Sequence, residues 1–272
     1  MHGHGRTAYG VARGAGGRLR IVRVRRGGAE GVAAGEPDSP AVRGALAAID
    51  RALARSGAIL AVPWPVAKTL SRTLVSPFAS RAKSAKIWNG LLDLSLPFPV
   101  EDAVCDISPL PAEGGKARSF AQVVRQADFE REREAWEAAG LRPTHATAVE
   151  TELRKEAAGG ELVVLAPGAA LWLSASGDSR AVRWPTEADD AEKERLLRTR
   201  LARPDGAGER VLSWAGEGAE TWARRAEGWG IAARHRVHPA GEDVLAVAAA
   251  RRALADARAA NPLSGHPVLV AR

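Results

Sequence analysis

One cysteine, one methionine, one tyrosine and four phenylalanines in 272 residues leave several kinds of protein without their working parts. With Cys105 alone there is no intramolecular disulfide framework and no thiolate cluster for a metal, which suits a reducing compartment; Cys105 reads as a small buried apolar residue. No run approaches the roughly 18 apolar residues that cross a bilayer. The opening Met1-His2-Gly3-His4-Gly5-Arg6 has no hydrophobic signal region. The expectation is a chain that is neither exported nor membrane-spanning. No Gly-x-Ser-x-Gly turn occurs and Cys105 falls in an extended segment, which argues against a hydrolase built on a nucleophilic triad.

What is present is 46% hydrophobic residues, enough to fill a sizeable core, and a formal charge of +7 from 39 basic and 32 acidic side chains. Arginine is spread over nearly every segment and interleaved with acids, as in Asp128-Phe129-Glu130-Arg131-Glu132-Arg133-Glu134, the pattern of a solvated helix face. Nonspecific nucleic-acid binding stays as a rival reading that predicts affinity falling steeply with salt. The expectation is no nucleic acid. His235 and His238, three apart in an extended segment, point to opposite faces with no carboxylate or thiol to complete a metal set, and read as surface or packing residues. His2 and His4 receive no role, so no metal is expected. Of the eight tryptophans, Trp88, Trp136 and Trp172 fall on apolar faces and read as core, whereas Trp64 and Trp229 sit near element ends and read as exposed anchors.

Alternation in Thr7 to Arg13 and Leu19 to Val24, around glycines at 14 to 17, predicts a β-hairpin. Ser39 and Pro40 open a helix with Val42, Leu46, Ile49 and Leu53 on one face, ended by Gly57 before a buried strand at Ala58 to Val62. Val66, Leu70 and Leu74 predict a second helix stopped by Pro77. A third, from near Ser80, turns Ile87, Trp88, Leu91, Leu92 and Leu94 inward until Pro97-Phe98-Pro99. Ala103 to Ile107 reads as extended and Phe120 to Arg125 as a strand. Asp128 caps a charged helix ending at Gly140, followed by an extended Leu141 to Val149. Beyond a boundary at Gly159-Gly160 the opening is repeated. A hairpin at Leu162 to Leu165 and Ala170 to Leu173 turns at Gly177-Asp178 into Ala181 to Trp184. Helices at about 189–202 and 219–227, strands at Val211 to Trp214 and near Ile231, and an Ala-rich final helix complete it. Two tandem hairpin-then-αβ halves imply a cleft between them, where such a protein places its ligand.

Ser76-Pro77-Phe78, the Lys83/Lys86 helix, Leu96-Pro97-Phe98-Pro99-Val100-Glu101-Asp102 and Val104-Cys105-Asp106-Ile107 carry a resemblance. So does Glu137 to Pro143 followed by Ala148 to Leu153. The chain resembles the actin-like PilM proteins of type IV pili and GspL proteins of type II secretion. The resemblance implies an α/β fold of the two-lobed actin/Hsp70-like (ribonuclease H-like) type. The first lobe would span 1–158 with a small subdomain inserted at about 76–149, and the second lobe 159–272.

In such a cleft nucleotide hydrolysis needs carboxylates to hold Mg²⁺ through its waters and glycines that let backbone N–H groups approach phosphate. The resemblance implies an Asp-x-Gly in each hairpin. The first hairpin instead reads Tyr9-Gly10-Val11-Ala12-Arg13-Gly14, with no acid before Glu30, and the second reads Leu165-Ala166-Pro167-Gly168-Ala169, with Pro167 lacking an N–H. A further Gly-rich turn, Ala215-Gly216-Glu217-Gly218-Ala219, suits an adenosine or simply a tight turn. The expectation is a pseudo-ATPase whose cleft walls carry no acidic group for magnesium. Gly10, Gly14, Gly168, Gly216 and Gly218 are then degenerate nucleotide-loop positions, with no catalytic residue and no cofactor. The alternative is an actin-like ATP-binding protein or ATPase that uses Mg-ATP through unusual ligands.

The resemblance further implies a non-catalytic scaffold of a secretion or pilus assembly platform at the cytoplasmic face of the inner membrane. It would bind the cytoplasmic segment of a bitopic PilN/GspM-like partner, and the motor ATPase as a second contact, with only indirect membrane association. Its groove would take a peptide through backbone hydrogen bonds and apolar anchors.

Overall fold

A computed structural model describes residues 7–157, 160–174, 178–202, 210–231 and 233–259. His2, His4, Gly159 and Gly177 lie outside the described residues.

The chain opens with β1 (Ala8–Arg13), β2 (Leu19–Arg25) and β3 (Gly28–Gly35), then α1 (Pro40–Ser56) and β4 (Ile59–Pro63). The Ser39 hydroxyl accepts from the Val42 N–H at 3.5 Å, Pro40 fills the first turn, and Gly57 ends the helix in the left-handed region. Val42, Ala45 and Ile49 then face the sheet from one side of α1. After β4 come β5 (Leu70–Val75), α2 (Arg81–Ala85), α3 (Trp88–Asp93), β6 (Ala103–Glu113), β7 (Lys116–Arg125) and α4 (Gln126–Ala138). The first half closes with β8 (His145–Thr147) and α5 (Glu150–Glu156). The second half runs β9 (Glu161–Ala166), β10 (Ala169–Ser174), β11 (Ser179–Arg183), α6 (Asp190–Leu201), β12 (Arg210–Gly216), α7 (Ala219–Glu227), β13 (Ala233–Val237) and α8 (Val244–Ala259).

Two five-stranded sheets result, ordered β3-β2-β1-β4-β8 and β11-β10-β9-β12-β13. In each, the first three strands are antiparallel and the fourth joins the first in parallel, Ala8 opposite Ile59 in one and Leu212 opposite Glu161 in the other. The sequence reading of a repeated hairpin-then-αβ unit is thus an internal duplication of one topology. Helices α5 and α8 lie between the sheets, and their apolar residues share one core with Ala8, Ile59, Leu162 and Ala215. The small side chains of α8 let it approach β1 so closely that a Cβ on Gly10 would fall 1.8 Å from the Ala246 carbonyl oxygen.

The third sheet, β5-β7-β6, is inserted into the first lobe between β4 and β8. Leu74, Ala121 and Val123 on one face pack beneath Trp88 and Leu92. The other face meets α5, with the Arg154 guanidinium 3.7 Å from the Phe120 ring and the Thr151 N–H donating to Gln122 Oε1 at 3.3 Å. The C-terminal helix is tied to the same sheet by Arg252, which donates to Asp106 at 3.2 Å. β5 precedes position 76, and β8, within 76–149, belongs to the first five-stranded sheet.

Several sequence expectations need correction. The spacing of Val66, Leu70 and Leu74 suggests a helix, but only Val66–Lys68 form a 3-10 turn and Leu70–Val75 pair with β7. A sheet partner 50 residues away in sequence outweighs a local period of four. Leu94, expected to turn inward, is 87% exposed at the C-cap of α3. Asp128 lies in the first turn of α4 rather than capping it, and pairs with Arg131 at 3.0 Å. Trp64 and Trp229 are buried: the first sets its edge on Phe129 and the second on Trp214. Element ends here point into the core. Cys105 is half-buried in β6, and burial, reinforced by the Asp106 charge, pushes its thiol up to about 11.

Candidate functional site

Between the lobes lies a cleft of about 520 Å³, opened where the two hairpin turns face each other. The first lobe brings Arg13 and Gly14 from the end of β1 and Arg20 from β2. The second brings Ala166, Pro167 and Gly168 from the β9–β10 turn and Gly216 and Glu217 from the turn after β12. Trp184, Trp222 and Lys193 complete the second lobe's wall, and Glu242 enters from the turn leading into α8.

Three of the five glycines singled out in the sequence therefore meet in the cleft, and two do not line it. Gly10 lies under α8 as a packing position. Gly218 is the N-cap of α7 and points its N–H toward Glu242 Oε1 at 3.5 Å. Gly216 is required by the backbone: its φ is +90°, and a Cβ there would sit 2.0 Å from the Leu165 carbonyl oxygen across the sheet. Gly168 is pressed against lobe 1, where its Cβ would be 3.3 Å from that of Ala67. The Gly14 N–H donates to the Arg18 carbonyl within its own turn at 2.7 Å, so it is engaged rather than presented.

The expectation that the walls carry no acid is overturned: Glu217 and Glu242 both line the cleft. Glu217 reaches across from lobe 2 until its carboxylate fills the space beside Gly14, 2.5 Å from where a Cβ would stand. Glu242 pairs with Arg20, which also contacts Asp243 at 3.4 Å. The acids come not from the hairpins but from a β–α turn and from the Gly-Glu-Asp before α8. The only local signal was Glu217 between two glycines.

The cations are engaged as well. Arg13 lies 4.3 Å over the Trp136 ring and 3.7 Å from Glu132, and Lys193 is 3.6 Å from Asp190. On the cleft's flank Arg183 of β11 donates to the carbonyls of Ala67 and Thr69 at 2.6 Å each, stitching lobe 2 to lobe 1; burial, with Arg72 nearby, lowers its pKa. A magnesium triphosphate fits this donor set poorly. Ala166 offers no carboxylate and Pro167 no N–H, the two acids present face Arg20 and the Gly14 turn, and among the described residues no three His, Cys, Asp or Glu side chains gather as metal ligands.

His235 accepts from the Trp214 indole N–H at 3.1 Å, and His238 accepts from the Ala240 N–H at 3.2 Å and lies 3.5 Å from Glu156. Both are packing histidines. Burial is the main cause holding both pKa values down.

Two sheets of one strand order, helices between them and a cleft at the facing hairpins define the two-lobed actin-like ATPase fold. The chain is similar to the structure of the PilM-PilN type IV pilus biogenesis complex, at 19% identity and a TM-score of 0.58, covering 91% of this chain and 98% of that one. It is also similar to a protein of actin-like ATPase fold and unknown function from Bacteroides thetaiotaomicron, at 8% identity and a TM-score of 0.50, covering 92% and 96%. The cytoplasmic domain of EpsL, an inner membrane component of the type II secretion system of Vibrio cholerae, aligns at 12% identity and a TM-score of 0.47 over 76% and 81%. At these identities the likeness to the first two structures establishes the fold alone. No protein-family model and no curated protein sequence matches the chain. Among the described residues no helix is long and apolar enough to cross a membrane.

Proposed function

We propose that this protein is a non-catalytic scaffold of a type IV pilus or type II secretion assembly platform. It works at the cytoplasmic face of the inner membrane and binds the cytoplasmic segment of a PilN/GspM-like bitopic partner. The motor ATPase is a second contact in this reading. The observation that carries it is the second hairpin: a lobe pair that keeps the actin-like topology through most of its length holds Ala166 and Pro167 where a phosphate-binding turn needs a carboxylate and an N–H. In this reading the chain carries the frame, with its inserted sheet, without the hydrolytic donors. The fold likeness to PilM extends over 91% of the chain, so the insertion is included in it, and the neighbour's structure is a complex with PilN.

The test is calorimetric titration of the full chain with a peptide copying the cytoplasmic segment of the bitopic membrane protein encoded beside it. Saturable binding at 1:1 is expected. A segment that leaves the chain unbound, both as peptide and on co-expression of the intact partner, overturns the reading. The basic residues and size of the cleft favour one rival, a residual ATPase. Phosphate release from Mg-ATP above the buffer blank would establish that rival instead.

A further inference from the structure

We infer that the cleft is an anion site filled by the protein's own carboxylates, and that Glu217 and Glu242 latch the lobes together in the place an external polyanion would take. The argument starts from what the walls present without those two side chains. Arg13 and Arg20 stand on one lobe and Lys193 on the other, about a space of some 520 Å³. Arg13 also faces Glu132 at 3.7 Å and Lys193 faces Asp190 at 3.6 Å, which leaves Arg20 as the cation met by the cleft's own acids. Cations on both walls favour oxyanions between them.

The second observation is where the acids go. Glu217 leaves the second lobe from the residue after Gly216, whose backbone is fixed by its contact with Leu165, and its carboxylate ends in the space beside Gly14 of the first lobe. Glu242 leaves the turn before α8 and lies between the Arg20 guanidinium of the first lobe and the Gly218 N–H of the second, with Asp243 on the other side of Arg20. Each acid thus reaches from the second-lobe side to a group of the first, and each sits against a glycine turn. Both are anchored on short turns next to packed elements, so little chain entropy is lost in bringing them there. A bound polyanion is concentration-dependent, whereas these carboxylates are always present. Together with the shared core around α5 and α8 and the Arg183 bonds, they hold the lobes in one relative position without any ligand. This inference does not depend on the identity of the protein partner: failure of peptide binding would leave it standing.

The test uses the full chain, the double variant E217Q/E242Q, and inorganic tripolyphosphate as the probe, with Mg-ATP in parallel. Glutamine keeps the size of each side chain and removes its charge. The wild-type chain should give no saturable heat with either probe. The double variant should bind tripolyphosphate at least about tenfold more tightly, a change of about 1.4 kcal/mol. Adding R20Q to the double variant should abolish that gain, because the cation that Glu242 neutralises is then gone. Small-angle scattering should show the double variant expanded when free and returned to the wild-type profile by the probe. If wild type and double variant bind tripolyphosphate equally, or if neither binds it while the double variant keeps its near-ultraviolet circular dichroism, the inference is wrong. Should the double variant lose its fold, the single variants E217Q and E242Q carry the same comparison, each expected to show part of the gain; equal binding to wild type in both would overturn it.

Discussion

Between β4 and β8 the first sheet's chain travels through β5, α2, α3, β6, β7 and α4, whereas between β12 and β13 the second sheet's chain needs only α7. The strand order is the same, so the difference lies in how each sheet is finished. The second lobe is finished from within. Trp214 is fully buried with Trp229 and His235 about it, and Trp172 donates its indole N–H to Glu161, which Arg210 holds through two 2.8 Å bonds. The first lobe has Ala8 at the place of Glu161, the opening residue of its first strand. It gets its polar ties from the insertion instead, where Arg252, Glu150 and Gln122 bind the extra sheet to the helices between the lobes. One duplicated topology can be completed by a self-contained core or by an added module.

If that contrast is right, breaking the buried pair of the second lobe should cost the most. Arg210→Ala takes the guanidinium away from a carboxylate that is only 8% exposed, and should destabilise the fold by about 3–5 kcal/mol in urea titration. Glu161→Gln, which keeps an acceptor for the Trp172 N–H, should cost clearly less. Equal losses would mean that the charge pair itself, rather than the hydrogen bonds and packing that glutamine keeps, finishes this sheet.

The insertion can be probed separately through Cys105, the sole thiol. Its pKa is raised from 9.0 to about 11, which at pH 8 lowers the thiolate population about a hundredfold. Iodoacetamide should therefore react about a hundredfold more slowly than with the unfolded chain. If the insertion opens before the lobes, alkylation should accelerate at urea concentrations where tryptophan fluorescence is still native-like. A single shared midpoint would show that insertion and lobes unfold as one unit.

The elements that could be read from sequence are those whose side chains alternate or repeat on their own account. β2, with Leu19, Ile21 and Val22 buried, and α1, with its Ser39 cap and Gly57 stop, are legible because local pattern and tertiary burial agree. β3 reads Gly-Ala-Glu-Gly-Val-Ala-Ala-Gly, an exposed run without alternation that is a strand only because β2 offers a ladder. β5 was disguised by leucines four apart. In the cleft, the three glycines at 14, 168 and 216 were found by their turns, but Glu217 and Glu242 act on groups some 200 residues away in sequence. No local spacing encodes such a meeting; it is set by how the two lobes face each other.

The smallest expected effect concerns acid, and it too separates the halves. His235 and His238 both belong to the second lobe's end, and both are held below the ordinary histidine pKa, chiefly by burial. Glu156 opposes the shift at His238, while Arg236 and Arg251 add to it. With the folded pKa below the unfolded one, the unfolded chain binds more protons as pH falls past the unfolded value of about 6.5. Stability from these groups is thus complete above that pH and declines below it. His238→Gln should leave stability at pH 8 nearly unchanged as long as glutamine accepts from the Ala240 N–H, and should flatten the loss of Tm between pH 7 and pH 5. The decline should register first in the tryptophan signal of the second lobe, because Trp214 donates to His235 at 3.1 Å. If instead the rate of Cys105 alkylation rises at a higher pH than the tryptophan change, the acid-sensitive part is the insertion, and the self-contained lobe is the sturdier half.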